Sequence, residues 1–209
     1  MSAYRLVQSF EDRENFPVRL NEVRDAVVQI GGADDITFKA VDIQQNVLRG
    51  LCHRWRPLPR PYADAQDCIE ILYAESLEPE WHRLVVTKEL VHVLDRDIHR
   101  TTTHAQFDDL IHRMARRPEL RDPMTWHEAS DRVGLFQALG ILFPFAAREL
   151  ILEKYNAGLI SDELIAHRAS IPLHYVSYLM SSDWDADYRA FMTLCENDPG
   201  HANHIEAAE

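Results

Sequence analysis

The sequence is poor in glycine, in cysteine and in basic residues. Its 209 residues include seven glycines and three cysteines, and 22 lysines and arginines face 34 aspartates and glutamates, for a formal net charge of −12. The odd number and scattered positions of Cys52, Cys68 and Cys195 argue against a disulfide framework and against a cysteine-rich zinc cluster. The acidic balance argues against non-specific nucleic-acid binding, which requires a basic surface.

Long apolar runs are also lacking. The longest, from Val133 to Ala147, is interrupted by Gln137, Gly140 and Pro144 and is too short to span a bilayer. The N-terminal segment carries acidic residues where a signal peptide requires an apolar run, so we predict a cytoplasmic protein. Hydrophobic residues nevertheless make up 46% of the chain, which is enough for a globular core.

The chain does contain a succession of strand and helix patterns. Apolar residues at helical spacing predict a helix over residues 17–30, and β-branched and apolar residues predict a small sheet over about 36–74. Helical patterns predominate over residues 86–180, including a capping box that starts at Thr125 and an apolar helix that runs to about Phe143. We predict an α+β fold, with a small β-sheet packed on a mainly helical domain over residues 1–182 and an acidic C-terminal extension over residues 183–209.

The segment RLVVTKELVHVLD, residues 83–95, carries the most informative motif. Zinc peptidases of the H-E-x-x-H type place two histidines one turn apart on a helix, with a general-base glutamate after the first. Here the five positions read Lys88-Glu89-Leu90-Val91-His92. The glutamate and the second histidine are present, and the first histidine is a lysine.

Residues 67–180 resemble the ImmA/IrrE family of zinc metallopeptidase-like proteins. The family segment R-F-T-L-A-H-E-L-G-H is echoed by RLVVTKELVH (83–92), E-A-N-x-F-A-x-x-L-L-M-P by VGLFQALGILFP (133–144), and A-x-x-F-x-V-S by IAHRASIP (165–172). The resemblance implies a zincin-like domain with Glu89 at the general-base position. It also implies a setting in bacterial or mobile-element gene regulation, where family members act on repressor-type transcription factors.

The same alignment assigns two of the three expected zinc ligands to residues that cannot bind metal. Lys88 replaces the first histidine and Val133 replaces the acidic third ligand, which leaves His92 alone. Asp131 is two residues from Val133 and is therefore expected on nearly the opposite side of its helix. We predict a pocket lined by Lys88, His92, Val133 and Gln137 with no metal cofactor, and no peptidase activity after Lys88→His alone, because Val133 would also have to change.

Two interpretations of Lys88 remain open from sequence alone. Its ammonium group either takes the place of the metal and pairs with Glu89 or another carboxylate, or it points to solvent. A displaced zinc site is a further alternative, because eleven histidines make metal-like spacings common. That site would use His92, Asp95 and His99, with His82 or His104 nearby.

The leading hypothesis is a catalytically inactive metallopeptidase-like protein that acts as a regulatory protein–protein interaction module, with a repressor-type transcription factor as its partner. One alternative is a zinc metallopeptidase with displaced ligands that cleaves a repressor-type protein. A second is a DNA-binding regulator, because residues 162–180 have a pattern typical of a helix-turn-helix. The second helix of that pattern, however, lacks the arginine and lysine that would contact DNA. The most basic segment, residues 49–60, is interpreted as a solvated edge strand or as a partner-binding edge.

Overall fold

The computed structural model describes residues 2–31, 35–46, 48–55, 68–94 and 126–196. These ranges contain helices, one short 3₁₀ turn and a small sheet, so the predicted mixture of α and β structure is confirmed. In chain order the elements are α1 (Ser2–Glu11), α2 (Leu20–Gly31), β1 (Asp35–Val41), β2 (Gly50–Trp55), β3 (Cys68–Ala74), α3 (Pro79–His92), α4 (Trp126–Leu142), α5 (Phe145–Asn156), α6 (Asp162–Ala169), the 3₁₀ turn Leu173–Tyr175, α7 (Val176–Leu179) and α8 (Ser182–Glu196).

β3 is the central strand of the three-stranded sheet, whose order is β1-β3-β2. It pairs in parallel with β1 and antiparallel with β2, so that Ile71 lies opposite Phe38 on one side and Cys52 on the other. Ile69 and Ile71 are buried, as expected for alternate positions on the core face of a strand. The small sheet that was predicted over about residues 36–74 is therefore confirmed.

α3 lies between the sheet and three other helices. It begins with Pro79, whose missing N–H costs nothing in the first turn of a helix. It contacts β2 and β3 on the sheet side and α1, α2 and α4 on its other sides. The sheet therefore packs on the helix that carries Glu89 and His92. The buried residues of α3 are Leu84, Val85, Val86, Thr87, Glu89, Leu90 and Val91.

The first helix, α1, was not predicted from the sequence. Tyr4, Leu6, Val7 and Phe10 are buried, and α1 packs against α2 and α4. Their spacing of three or four residues is that of an amphipathic helix, so the signal was present. The next helix, α2, begins at Leu20 rather than at residue 17.

Among the residues of α4 whose burial the structure describes, those toward the C-terminal end are buried, so the prediction of an apolar helix applies best to that end. Residues 137–143 are buried, whereas residues 131–133 are exposed. The following proline, Pro144, is the N-cap residue of α5, and the turn after α5 contains Gly158 with a φ of 68°. Thr125 of the predicted capping box lies outside the described residues.

Arg83, on α3, ties together two segments that are far apart in the sequence. Its Nε donates to the carbonyl oxygen of Ser170 at 3.1 Å, and its second terminal nitrogen donates to the carbonyl oxygen of Val18 at 2.6 Å. Charge-assisted hydrogen bonds of this kind are stronger than neutral ones. One side chain thus joins the approach to α2 with the turn that follows α6.

Candidate functional site

The side chains of Lys88 and Glu89 both turn into the protein rather than to solvent. The Lys88 side chain is 19% exposed and the Glu89 side chain is 6% exposed. Lys88 Nζ lies 3.2 Å from Glu89 Oε1, so the ammonium and the carboxylate form an ion pair in a partly desolvated site. Of the two interpretations of Lys88 that the sequence left open, the structure supports pairing with a carboxylate.

Asp131 of α4 completes this ion pair from the opposite helix. Lys88 Nζ donates a short hydrogen bond to Asp131 Oδ1, and His92 Nε2 lies 3.8 Å from the same oxygen. The prediction that Asp131 points away from the site is therefore wrong. Val133, which the motif alignment placed at the third ligand position, is 47% exposed. We refer to Lys88, Glu89, His92 and Asp131 as the Lys88 cluster.

Two glycines allow neighbouring elements to approach the Lys88 cluster closely. A Cβ atom at Gly134 would lie 2.9 Å from both Cε1 and Nε2 of His92, closer than real Cβ contacts allow. On the sheet side, a Cβ atom at Gly50 would collide with Val85 and lie 3.2 Å from Glu89 Cγ. Gly134 is three residues after Asp131 and therefore shares its face of α4. That face, rather than the face of Val133, meets α3.

The neighbouring charges within the cluster favour the charged forms of Lys88 and Asp131. Burial alone would lower the pKa of Lys88, but the neighbouring carboxylates of Glu89 and Asp131 outweigh it and hold that pKa above its ordinary value. Burial likewise acts to raise the pKa of Asp131, but His92 and Lys88 outweigh it and hold that pKa well below the usual range. At neutral pH the ammonium group of Lys88 is therefore fixed between two acids.

These shifts predict how stability depends on pH. The depressed pKa of Asp131 gives stability that is present above the ordinary carboxyl pKa of about 3.9 and is lost as pH falls through the folded value. The raised pKa of Lys88 gives stability that is present below about pH 10.4 and is lost as pH rises through the folded value. Urea unfolding of the wild type and Asp131→Asn should show a stability difference that is constant near neutrality and shrinks below about pH 4. A difference that grows with acidity would contradict this assignment.

The donor set of the cluster does not fit a catalytic zinc ion. Such an ion takes three protein ligands and leaves one position open for water, whereas here the ammonium group of Lys88 occupies the acids that would serve as ligands. Across the described residues, no group of three or more histidine, cysteine, aspartate or glutamate side chains is arranged to hold a metal ion. For the displaced alternative, Asp95 and His99 lie outside the described residues, as does His104, and the His82 ring lies 4.3 Å from that of Tyr73.

The segment considered for DNA binding forms a helical hairpin with a very short second arm. Ser161 caps α6 by accepting a hydrogen bond from the Leu164 N–H at 3.3 Å. Ser170 then turns the chain with a φ of 52°, and a 3₁₀ turn leads into α7, which has only four residues. Val176 and Leu179 of α7 are fully buried. Both side chains therefore face the core.

The end of α7 is held by a buried arginine that the sequence did not single out. Arg148 is 2% exposed, and it donates to the carbonyl oxygens of Leu179 at 2.7 Å and Ser181 at 2.9 Å. It also pairs with Glu149 of its own helix. A buried charge that is satisfied in this way fixes the position of the α7–α8 turn.

Comparisons of the chain with family models, with curated proteins and with solved structures return no match. Within the described ranges, no single helix has the length and apolarity of a membrane span. The helical stretches Ser130–Leu142 and Phe145–Asn156, bent by 73° relative to each other, meet that criterion only when taken together.

Proposed function

We propose that this chain is a catalytically inactive metallopeptidase-like protein that acts as a regulatory protein–protein interaction module. The observation that carries the proposal is the position of Lys88, whose ammonium group pairs with Glu89 and Asp131 beside His92. A divalent ion in a zinc peptidase would be held by the side chains at the positions of Lys88 and His92 and by an acid from the second helix. A fixed monovalent cation fills that role here.

The zincin-like character of the domain is part of the proposal. Its support is the helix α3, which packs under a small sheet, carries a glutamate and a histidine three residues apart, and faces an acid on α4. The arrangement also explains how the cluster is tolerated without a metal. Removing an ion from a group of acids leaves uncompensated negative charge, and the lysine supplies the missing positive charge. The regulatory setting and the repressor-type partner rest on the sequence resemblance.

The proposal predicts that the purified protein contains well below one zinc ion per chain. Metal content is measured by inductively coupled plasma mass spectrometry on the full chain after removal of any histidine tag. We also expect a metal chelator to leave the urea midpoint unchanged, because Lys88 already neutralises the acids. Stoichiometric zinc that the chelator removes would overturn the proposal and favour the metallopeptidase with displaced ligands.

A proteolysis assay distinguishes the inactive interaction module from a zinc metallopeptidase with displaced ligands. We expect no cleavage of a repressor-type protein during incubation with added zinc, and we expect the partner to be retained intact in a co-purification experiment. The matched control is Asp131→Asn, which disturbs the cluster without supplying a metal ligand. Cleavage by the wild type that depends on zinc would count against the inactive assignment.

A further inference from the structure

A second cluster of side chains lies at the surface beside the Lys88 cluster. The guanidinium carbon of Arg49 lies 4.1 Å from the centre of the Trp81 ring, and the Trp81 ring lies 5.1 Å from that of His174 and 6.1 Å from that of Tyr175. The ring of Tyr175 is 3.9 Å from that of His174. Leu173, which precedes them, is 48% exposed. We call Arg49, Trp81, Leu173, His174 and Tyr175 the aromatic–arginine patch.

The composition of this patch is that of a binding surface. Tryptophan, tyrosine and arginine are the residues that most often dominate the energy of protein–protein interfaces. Arg49 and His174 are exposed, whereas Trp81 and Tyr175 are half-buried, so rigid rings support accessible polar groups. The stacked guanidinium and rings lose little conformational freedom when a partner binds, because they are already held in place.

The patch carries positive charge within an acidic protein. Among the residues that the structure describes, no carboxylate forms an ion pair with Arg49, and its guanidinium group lies over the Trp81 ring. Burial lowers the pKa of His174, and the charge of Arg49 lowers it further. Burial raises the pKa of Tyr175, and the charges of Arg49 and Lys88 oppose that rise. The positive charges of Arg49 and Lys88 therefore both act on Tyr175.

We propose that the aromatic–arginine patch docks an acidic peptide segment of a protein partner. A carboxylate of that segment would pair with the exposed face of Arg49, and an apolar side chain next to it would pack on Leu173 and the edge of Trp81. The inference rests on the proposed function, since it identifies the surface and the partner chemistry of the interaction module.

A peptide fits these observations better than a nucleic acid does. Arg49 already covers one face of Trp81, and single-stranded nucleic acids bind by stacking bases on aromatic faces. The net charge of −12 repels a polyanion along its whole length, whereas a short acidic segment needs only one or two local cations.

The experiment is a selection of random dodecapeptides displayed on phage against the full-length chain. We expect aspartate and glutamate to be enriched beside an apolar residue in the selected peptides. A synthetic peptide of the selected sequence should bind Arg49→Glu at least about tenfold more weakly than the wild type, measured by fluorescence anisotropy. The control is Lys154→Glu on α5, which makes the same charge change at another exposed position. Its affinity for the peptide should stay within roughly twofold of that of the wild type.

Several results of these binding experiments would overturn the inference. Selected peptides without acid enrichment, equal binding by Arg49→Glu, or equal loss with Lys154→Glu would each overturn the inference. So would binding of a fluorescein-labelled single-stranded RNA that Arg49→Glu abolishes while acidic peptides fail to bind. Circular dichroism and the urea midpoint establish that the variants are folded, and His174→Ala tests the same patch without charge reversal.

This selection can fail independently of the proposed function. A zinc-free, inactive protein whose selected peptides lack acidic residues would overturn the docking inference alone. Stoichiometric zinc together with acid-enriched peptides would overturn the inactive-peptidase proposal and leave the docking surface in place.

Discussion

Lys88→His is expected to bind zinc at least roughly a hundredfold more tightly than the wild-type chain, because it adds a ligand where an ammonium group now stands. The new imidazole would share a face of α3 with His92, four residues away. Asp131 would supply the acid from α4, released from its ion pair with the lysine. His92 Nε2 and Asp131 Oδ1 are 3.8 Å apart, close to the roughly 3.4 Å that separates two ligands of a tetrahedral zinc.

The sequence predicted that Lys88→His alone would not restore peptidase activity, because the motif alignment placed the third zinc ligand at Val133. That prediction concerns activity and stays a prediction, whereas the expectation here concerns zinc binding. The geometry directs Asp131 to the site instead. Isothermal titration with zinc measures the affinity, and Lys88→His/Asp131→Asn is the matched control that should lose the gain. If that double variant binds zinc as tightly as the single variant, Asp131 is not a ligand.

Lys88→Met is expected to lower the free energy of unfolding by about 2–4 kcal/mol, because it leaves Glu89 buried without its cation. We expect a smaller loss of unfolding free energy than for a fully buried ion pair, because the Lys88 side chain is 19% exposed and Asp131 is more exposed still. Methionine keeps much of the side-chain volume, so the measurement isolates the charge from the packing. Urea unfolding at neutral pH, with the slope compared between variants, gives the value.

A double-mutant cycle tests whether the loss comes from the unpaired carboxylate. Glu89→Gln in the Lys88→Met background should recover a large part of the stability, because an amide is cheaper to bury than a carboxylate without a counter-ion. Additive effects of the two substitutions would mean that Lys88 and Glu89 are not energetically coupled, and the ion pair would then contribute little.

The strands and the starts of α5 and α6 could be predicted because their signals are local, whereas α3 begins at Pro79, before the predicted residue 86. Alternation of apolar residues marked β3, and Pro144 and Ser161 marked the starts of α5 and α6. The helix α1 carries an equally local signal, because Tyr4 and Val7 are one turn apart and Leu6 and Phe10 are one turn apart. The sequence therefore contains enough local information to predict this helix as well.

The composition of the site depended on tertiary packing, which a single sequence does not encode in an obvious pattern. The face of α4 that meets α3 decides whether Asp131 or Val133 belongs to the site, and a motif alignment chose Val133. Gly134 was the available clue, because a small residue in a helix marks a place where another element approaches closely. Counting three residues back from it leads to Asp131. The aromatic–arginine patch had no comparable signal, since Arg49, Trp81 and His174 come from three separate segments.

The two hydrogen bonds of Arg83 predict how truncation of the chain changes its stability. Its two acceptors, the carbonyl oxygens of Val18 and Ser170, lie on opposite sides of it in the sequence. A fragment that starts after Val18 or stops before Ser170 would leave guanidinium donors without acceptors in a partly buried place. Truncation past either acceptor is therefore expected to lower the free energy of unfolding, which urea unfolding of the truncated chain would measure.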